Sequence, residues 1–191
     1  MLNQRLDELS DYPFQKLRNL LETSPLRSNT SPIDLSVGEP RRQPPAFVSD
    51  IVQSRRDTWN RYPPVNGTPE FRQACGDWLA RRYRLPVGMI DAQAMIAPCA
   101  GTREGLYMAA TLAVSPKAEG PQPLALMPNP FYQVYVGAAV LAGARPIFLE
   151  TSKATGFLPD LDAIDPAVLD RAAIMYLCSP ANPQGAVASL D

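Results

Sequence analysis

Apolar residues in the first half of the chain recur at helical spacing. A helix is predicted to begin at Pro13, whose fixed φ and missing N–H suit a first turn, and a second after Pro44-Pro45. Thr68-Pro69-Glu70 predicts a third, because it combines a hydroxyl cap, a first-turn proline and an acid at the positive helix end. The apolar faces are Phe14, Leu17, Leu20 and Leu21, then Phe47, Val48, Ile51 and Val52, expected to be buried, and then Phe71, Cys75, Trp78, Leu79 and Tyr83. The solvated side of the third helix is expected to carry Arg72, Arg81, Arg82 and Arg84.

A linker and a short strand are predicted between the first two helices. Residues 24–32 are polar and contain two prolines, which is typical of a linker. Residues 33–37 alternate between apolar and polar and are predicted to form a short strand.

From about residue 93 the pattern changes to short apolar runs separated by helical stretches. The runs are 94–97, 124–127, 146–149 and 173–177, and the helical stretches are 104–114, 133–141 and about 161–169. This alternation is typical of βαβ units, so we predict an α/β fold with a mainly parallel sheet and helices on its faces. Ligands of such sheets bind beyond the carboxyl ends of the strands, which places the expected chemistry after residues 97, 127 and 177.

Composition excludes several classes of function. Lysine plus arginine is 18 against 19 acidic residues in 191, so no net charge recruits nucleic acid or an anionic membrane. The absence of histidine excludes Ser-His and Cys-His nucleophiles and histidine metal ligands. The three cysteines have no CxxC spacing, so no metal site or disulfide framework is indicated and free thiols in a reducing cytoplasm are expected.

The segment after the first apolar run has the features of an anion site. Gly101 permits close backbone approach, Thr102 is expected to cap the following helix, and Arg103 adds positive charge. An ordinary strand-to-helix turn is the alternative. No GxGxxG or P-loop motif is present, which argues against a dinucleotide or nucleoside triphosphate site.

Two further strand ends and one loop carry candidate binding residues. Pro130-Phe131-Tyr132 presents aromatic rings that either stack on a planar cofactor or belong to the core. Ser179–Gly185 contains Asn182-Pro183, a candidate cis peptide that would aim the Asn182 amide, unless it is merely a proline-rich loop. Tyr62 lies in a stiff loop and is either a phosphate or partner contact or an exposed ring.

In this order and spacing, the motifs resemble those of the fold-type I pyridoxal-phosphate aminotransferases. The segments are Ser36–Pro40, Tyr62 with Gly67–Arg72, Gly101–Glu104, Pro130–Tyr132 and Ser179–Gly185. Two more stretches, 5–18 and 128–144, resemble the branch that transaminates N-succinyl-diaminopimelate with 2-oxoglutarate in bacterial lysine biosynthesis. The open alternatives are another family member of the aspartate or aromatic type, and a non-catalytic fragment that binds cofactor or dimerises.

The resemblance implies roles for individual residues. Gly101, Thr102 and Arg103 would hold the phosphate of pyridoxal 5'-phosphate, Tyr132 would stack on its ring, and Asn182 would bond its phenolic oxygen. Gly38 would lie by the carboxylate of the amino acid or 2-oxo acid substrate, and Tyr62 would reach the phosphate in the other subunit of a homodimer. Gln184 stands where the family often has threonine, and we expect little consequence from this difference.

The resemblance covers the N-terminal half of the family's length, and three residues of the family's chemistry lie beyond it. These are the Schiff-base lysine, the carboxylate at the pyridine nitrogen and the arginine for the substrate carboxylate. The lysines present, Lys16, Lys117 and Lys153, do not follow a predicted crevice strand. We therefore name no catalytic residue and expect the 191 residues alone to be inactive and only marginally stable.

The predicted architecture is thus an incomplete one. Residues 1–40 are expected to form an N-terminal arm and part of a small domain. Residues 41–191 are expected to form the first part of a three-layer αβα large domain that binds the cofactor.

Overall fold

The chain divides into two compact units in a computed structural model. The structure describes residues 3–9, 12–23, 33, 35, 38, 39, 42–115 and 120–189. One unit contains residues 1–15 and 99–191, and the other contains residues 16–98. The predicted division into residues 1–40 and 41–191 stays a prediction.

Three longer helices occupy the first half of the described chain. Helix α1 is Pro13–Glu22, α2 is Ala46–Ser54 and α3 is Pro69–Tyr83. Helix α3 begins as its sequence predicts, because the Phe71 N–H donates to the hydroxyl of Thr68 at 3.2 Å and proline occupies the first turn. It ends at Arg84, which adopts a left-handed conformation with φ of 52°.

Two predictions about the first half need correction. Phe47, Val48, Ile51 and Val52 on α2 were expected to be buried, but all four are exposed. The helix formed on its own periodicity, whereas burial requires a covering segment, which the described residues do not supply. Arg72 was placed on the solvated side of α3 but is half-buried, because its guanidinium donates to the Gln93 carbonyl at 3.1 Å.

The region between the first two helices is mostly outside the described residues. The predicted linker over 24–32 lies there, and so do residues 34, 36 and 37 of the predicted strand. Ile33 and Leu35 are described, and both are exposed.

The predicted strand over residues 94–97 is absent from the described structure. Instead, the Asp91 carboxylate accepts the N–H groups of Gln93 and Ala94, and the Asp91 carbonyl accepts that of Met95. A strand needs a neighbour to satisfy its backbone groups. Asp91 satisfies the first of these groups locally, so residues 92–94 fold as a turn and no strand forms over 94–97.

The second half forms the predicted parallel sheet. Strand β1 is Leu124–Asn129, β2 is Arg145–Glu150 and β3 is Ala172–Met175, in the order β2-β1-β3 with both pairings parallel. Helix α4, Thr102–Ala113, precedes β1, and the helices between the strands are α5, Val134–Ala142, and the short α6, Pro166–Leu169. Helix α6 begins later than predicted because Asp165 caps it and Pro166 occupies its first turn.

The core of this unit lies around the middle strand. Residues Leu124 to Met127 of β1 have no exposed surface, because β2 and β3 cover both edges of the strand and helices pack beside it. Ala110 of α4 and Ala138 and Ala139 of α5 are buried in the same cluster. Their small side chains let the helices approach the sheet closely.

A short 3₁₀ helix at the beginning of the chain, Gln4–Glu8, packs on this unit. The guanidinium of Arg5 donates to the Leu141 carbonyl near the end of α5 at 3.3 Å. This bond satisfies a helix-terminal carbonyl that has no partner within its helix. In the described residues, no helix is both long and apolar enough to cross a membrane.

Candidate functional site

The beginning of helix α4 forms the first part of the site. Gly101 occupies the N-cap position of the helix with φ of 135°, a conformation that residues with a side chain rarely adopt. The space that a β-carbon would occupy at this residue is open, with no atom of a non-neighbouring residue within 4 Å. Within the described residues, no side chain caps this helix end. The first N–H groups of α4 are therefore available to an anion, with the positive end of the helix dipole behind them.

The predicted cap at Thr102 needs correction. Thr102 is the first residue of α4, and the cap position belongs to Gly101. A side chain of the helix instead contacts the segment before it, because the Glu104 carboxylate accepts the Ala100 N–H at 2.6 Å. This contact holds the turn before α4 and occupies one oxygen of the only acid in the first helical turn.

Arg103 connects this helix end to the aromatic segment after β1. Its Nε–H donates to the hydroxyl oxygen of Tyr132 at 2.8 Å. The same hydrogen bond raises the pKa of Arg103 above its ordinary value, and the guanidinium is charged, as arginine is in proteins generally. The turn around Gly101 and the ring of Tyr132 therefore lie at one place, although they are about thirty residues apart in sequence.

The aromatic segment is fixed by ring contacts on its inner side. Tyr132 is half-buried and meets Tyr135 edge to face at 5.8 Å between ring centres, and Phe131 stacks on Phe148 of β2 at 5.0 Å. Tyr135 in turn stacks on Tyr176 at 4.4 Å. Burial raises the pKa of Tyr135, with a further contribution from the neighbouring Cys178.

The third part of the site is the turn that follows β3, and it contains two of the three cis prolyl peptides in the described residues. The Asn129–Pro130, Ser179–Pro180 and Asn182–Pro183 peptides are cis, the last as the sequence suggested. Backbone hydrogen bonds close the turn, from the Gly185 N–H to the Ala181 carbonyl and from the Ala181 N–H to the Ala186 carbonyl, each at 2.7 Å. The side chain of Asn182 is exposed.

Gln184 joins the turn after β3 to the segments that follow β1 and β2. Its amide Nε2 lies 3.4 Å from the Pro130 carbonyl and 3.2 Å from the Thr151 hydroxyl. Thr151, directly after β2, donates to the Asn129 carbonyl at 2.9 Å. The carboxyl ends of all three strands are thereby connected by side-chain hydrogen bonds.

The chain matches the model of the family described as aminotransferase class I and II over residues 30–191. The chain belongs to this family. An aminotransferase from Neisseria meningitidis Z2491 has the same fold with a TM-score of 0.89 and 34% identity, covering 99% of this chain and 47% of that one.

Curated relatives give a consistent picture. An LL-diaminopimelate aminotransferase of Moorella thermoacetica is 33% identical over 189 residues, or 98% of this chain and 46% of the relative. One of Dehalococcoides mccartyi (strain ATCC BAA-2266 / KCTC 15142 / 195) is 30% identical over 192 residues, or 100% of this chain and 47% of the relative. The chain thus spans about half the length of the curated relatives it matches.

Class I and II aminotransferases use pyridoxal phosphate, and the residues described above fit that group. The uncapped end of α4, the open space at Gly101 and the charged Arg103 suit a phosphate dianion. The tyrosine bonded to that arginine offers a ring of the kind that stacks on a planar heterocycle.

The structure brings some of the predicted site residues together. Gly101, Thr102, Arg103 and Tyr132 form one cluster, and the turn of Asn182 is connected to it through Gln184 and Pro130. Gly38 and Tyr62 belong to the other unit, where both are exposed, and their roles stay predictions. The individual cofactor contacts of the first group also stay predictions.

Sequence reasoning missed the end of strand β2. We predicted chemistry after residues 97, 127 and 177, but Thr151 also follows a strand and joins the same network. Gln184 was expected to matter little, yet its amide contacts two other strand ends. The available signal was its difference from the family's usual threonine, which changes both reach and donor number.

Proposed function

We propose that the protein is a pyridoxal-phosphate-dependent aminotransferase and that this chain supplies much of its cofactor site. The hydrogen bond between Arg103 and Tyr132 is the observation that carries the proposal. It joins a charged guanidinium to an aromatic ring at the carboxyl edge of a parallel sheet, which supports a phosphate site beside a stacking ring.

Each residue has a distinct role in this proposal. The backbone of Gly101 and the side chains of Thr102 and Arg103 bind the phosphate, while Tyr132 stacks on the pyridine ring. Asn182 donates from its amide to the phenolic oxygen of the ring. When bound, the cofactor supplies an electron sink for bond breaking at the α-carbon of the amino acid.

The substrate we propose is N-succinyl-diaminopimelate, with 2-oxoglutarate as the amino acceptor, in lysine biosynthesis. The stretches 5–18 and 128–144 support this choice through their resemblance to that branch of the family. The names of the curated relatives favour a second candidate, unmodified LL-diaminopimelate. In either case Gly38 lies by the substrate carboxylate, and Tyr62 reaches the neighbouring subunit of a cytoplasmic homodimer.

Two alternatives remain distinct from this proposal. One is an aminotransferase of the aspartate or aromatic type, which the same cofactor residues would serve equally well. The other is a binding module that retains phosphate contacts without chemistry.

A substrate comparison tests the proposal. The protein, produced as its gene encodes it, is incubated with pyridoxal phosphate and 2-oxoglutarate, and glutamate formation is measured with each donor. We expect faster turnover with N-succinyl-diaminopimelate than with LL-diaminopimelate, aspartate or phenylalanine. Faster turnover with LL-diaminopimelate selects the second candidate, and preference for aspartate or phenylalanine contradicts both.

A cofactor titration addresses the non-catalytic alternative. Pyridoxal phosphate is added while the absorbance of the cofactor is followed. A spectral change with turnover supports the enzyme, whereas saturable binding without either indicates the binding module. Absence of any binding contradicts the proposal altogether.

A further inference from the structure

The side chain of Gln184 is the least expected contact among the three strand ends. Its Nε2 group has two hydrogens, and the two acceptors within reach are the Pro130 carbonyl and the Thr151 hydroxyl. Pro130 lies two residues before Tyr132, and Gln184 lies two residues after Asn182. One amide therefore spans the turns that carry the proposed stacking ring and the proposed donor to the phenolic oxygen.

The acceptors of this amide are themselves fixed. Thr151 donates its hydroxyl hydrogen to the Asn129 carbonyl, and its N–H approaches the same carbonyl at 3.3 Å. The Asn129 side chain donates to the carboxylate of Glu150 at 3.0 Å. Gln184 thus bonds to a rigid edge of β1 and β2 rather than to a freely rotating group.

The other atom of the amide argues against a role in stability alone. Oε1 of Gln184 is buried and has no hydrogen-bond partner among the described residues. A buried carbonyl without a partner lowers stability. The unpaired Oε1 therefore offsets the stability that the hydrogen bonds of Nε2 contribute. A role in placing the two turns explains the glutamine better than a role in stability.

We propose that Gln184 is a positioning residue that sets the distance between the Tyr132 and Asn182 turns, and so the grip on the cofactor ring. The inference rests on the proposed function. It assigns Gln184 no contact with the cofactor. Because the phosphate group is bound at Gly101 to Arg103, the effect of Gln184 is confined to the ring.

Two substitutions of Gln184 separate the effect of its N–H donors from the effect of its side-chain shape. Gln184→Glu keeps the shape, but its ionised carboxylate presents oxygens to two acceptors and donates to neither. Gln184→Met keeps the approximate length and removes both the donors and the unpaired Oε1. Gln122→Glu is the matched control, since Gln122 also donates to a carbonyl, that of Gly143 at 3.3 Å, just before the opposite end of β1.

Two probes separate ring from phosphate. Pyridoxamine 5'-phosphate has no aldehyde, so its binding reports only the non-covalent contacts, and inorganic phosphate reports the helix end alone. The protein is used as its gene encodes it. Dissociation constants for both probes, the circular dichroism of the bound pyridoxamine phosphate and the melting temperature are measured for each variant.

We expect both Gln184 variants to bind pyridoxamine phosphate about tenfold more weakly, the loss for one to two hydrogen bonds. Their dissociation constants for inorganic phosphate should not change, and the ring's dichroism should be reduced. Gln184→Met should melt near the wild-type temperature. Gln122→Glu should leave both dissociation constants unchanged.

Three outcomes overturn the inference while leaving the proposed function intact. They are an unchanged affinity for pyridoxamine phosphate in both Gln184 variants, an equal loss for inorganic phosphate, and an equal loss in Gln122→Glu. If the wild-type protein binds neither probe, the proposed function is wrong, and the inference that rests on it is wrong as well.

Discussion

Strand β1 and the turn that follows it differ in almost every physical respect, although they are adjacent in sequence. Leu124 to Met127 have no exposed surface, whereas Tyr132 is only half-buried and hydrogen-bonds to the exposed Arg103. The strand is held by neighbours on both edges, and the turn is held by ring contacts and a few side-chain hydrogen bonds. The comparison teaches that the inner sheet provides stability, while its carboxyl edge leaves polar groups accessible.

The largest effect should come from the buried strand. Leu126→Ala removes a fully buried side chain in the middle strand and should lower the free energy of unfolding by about 2 to 5 kcal/mol. The same substitution at Leu112 on α4, where the residue is 83% exposed, is the control and should cost under about 0.5 kcal/mol. Chemical denaturation measures both. Equal losses would contradict the assigned core.

The next effect concerns Gly101 at the carboxyl edge. Gly101→Ala forces a side chain into φ of 135° and should cost about 1 to 3 kcal/mol, with weaker binding of inorganic phosphate. Gly137→Ala is the matched control in the middle of α5, where the added methyl group meets open space. It should stabilise the protein by up to about 1 kcal/mol. The conformation of Gly101 is wrong if both substitutions stabilise.

A smaller effect is expected at the stacked tyrosine pair of the core. The Tyr176 hydroxyl donates to the Leu106 carbonyl at 2.9 Å, so Tyr176→Phe should cost about 1 kcal/mol at neutral pH. Thermal or chemical unfolding of the two proteins gives this difference. No loss would mean that the hydrogen bond is absent in solution.

The same residue predicts a pH dependence at alkaline pH. Burial raises the pKa of Tyr176 and of Tyr135, so the folded state holds these protons more tightly than the unfolded state. The associated stability is present below the unfolded pKa of about 10 and is lost as pH rises from there through the folded values. Tyr176→Phe should make this loss less steep, and an unchanged slope would contradict the shift.

The smallest effect should come from the exposed hydrogen bond between Arg103 and Tyr132 at the carboxyl edge. Tyr132→Phe keeps the ring and removes the acceptor of Arg103, which should weaken pyridoxamine phosphate binding about threefold. Tyr107→Phe on α4 is the control and should bind normally. Calorimetry measures the three dissociation constants. Equal affinities for the wild type, Tyr132→Phe and Tyr107→Phe would show that the hydrogen bond from Arg103 to Tyr132 does not contribute to binding.

Local sequence signals predicted most of the elements. The apolar runs at 124–127, 146–149 and 173–177 became neighbouring parallel strands, and Thr68-Pro69 began α3 as expected. These predictions succeeded because hydrophobic period and helix capping act within a few residues. The run at 94–97 failed because strand formation depends on a partner, and Asp91 offered the backbone a local alternative.

Burial and long-range polar contacts were harder to predict. The apolar face of α2 has the correct spacing, yet spacing cannot indicate whether another segment covers it. The positions of Tyr132 and Asn182 followed from their places after strands, and that of Gly101 from its place at the beginning of helix α4. The contacts of Gln184 with Pro130 and Thr151 did not, because side-chain reach depends on the strand order and register that only the fold provides.

Hydrogen exchange with and without pyridoxamine phosphate tests the convergence of the three turns most directly. Saturating ligand should slow amide exchange together in residues 101–105, 131–135 and 181–186, and inorganic phosphate should slow it only in the first of these. Protection confined to one turn in the presence of pyridoxamine phosphate, or absent from all three, would contradict a shared cofactor site.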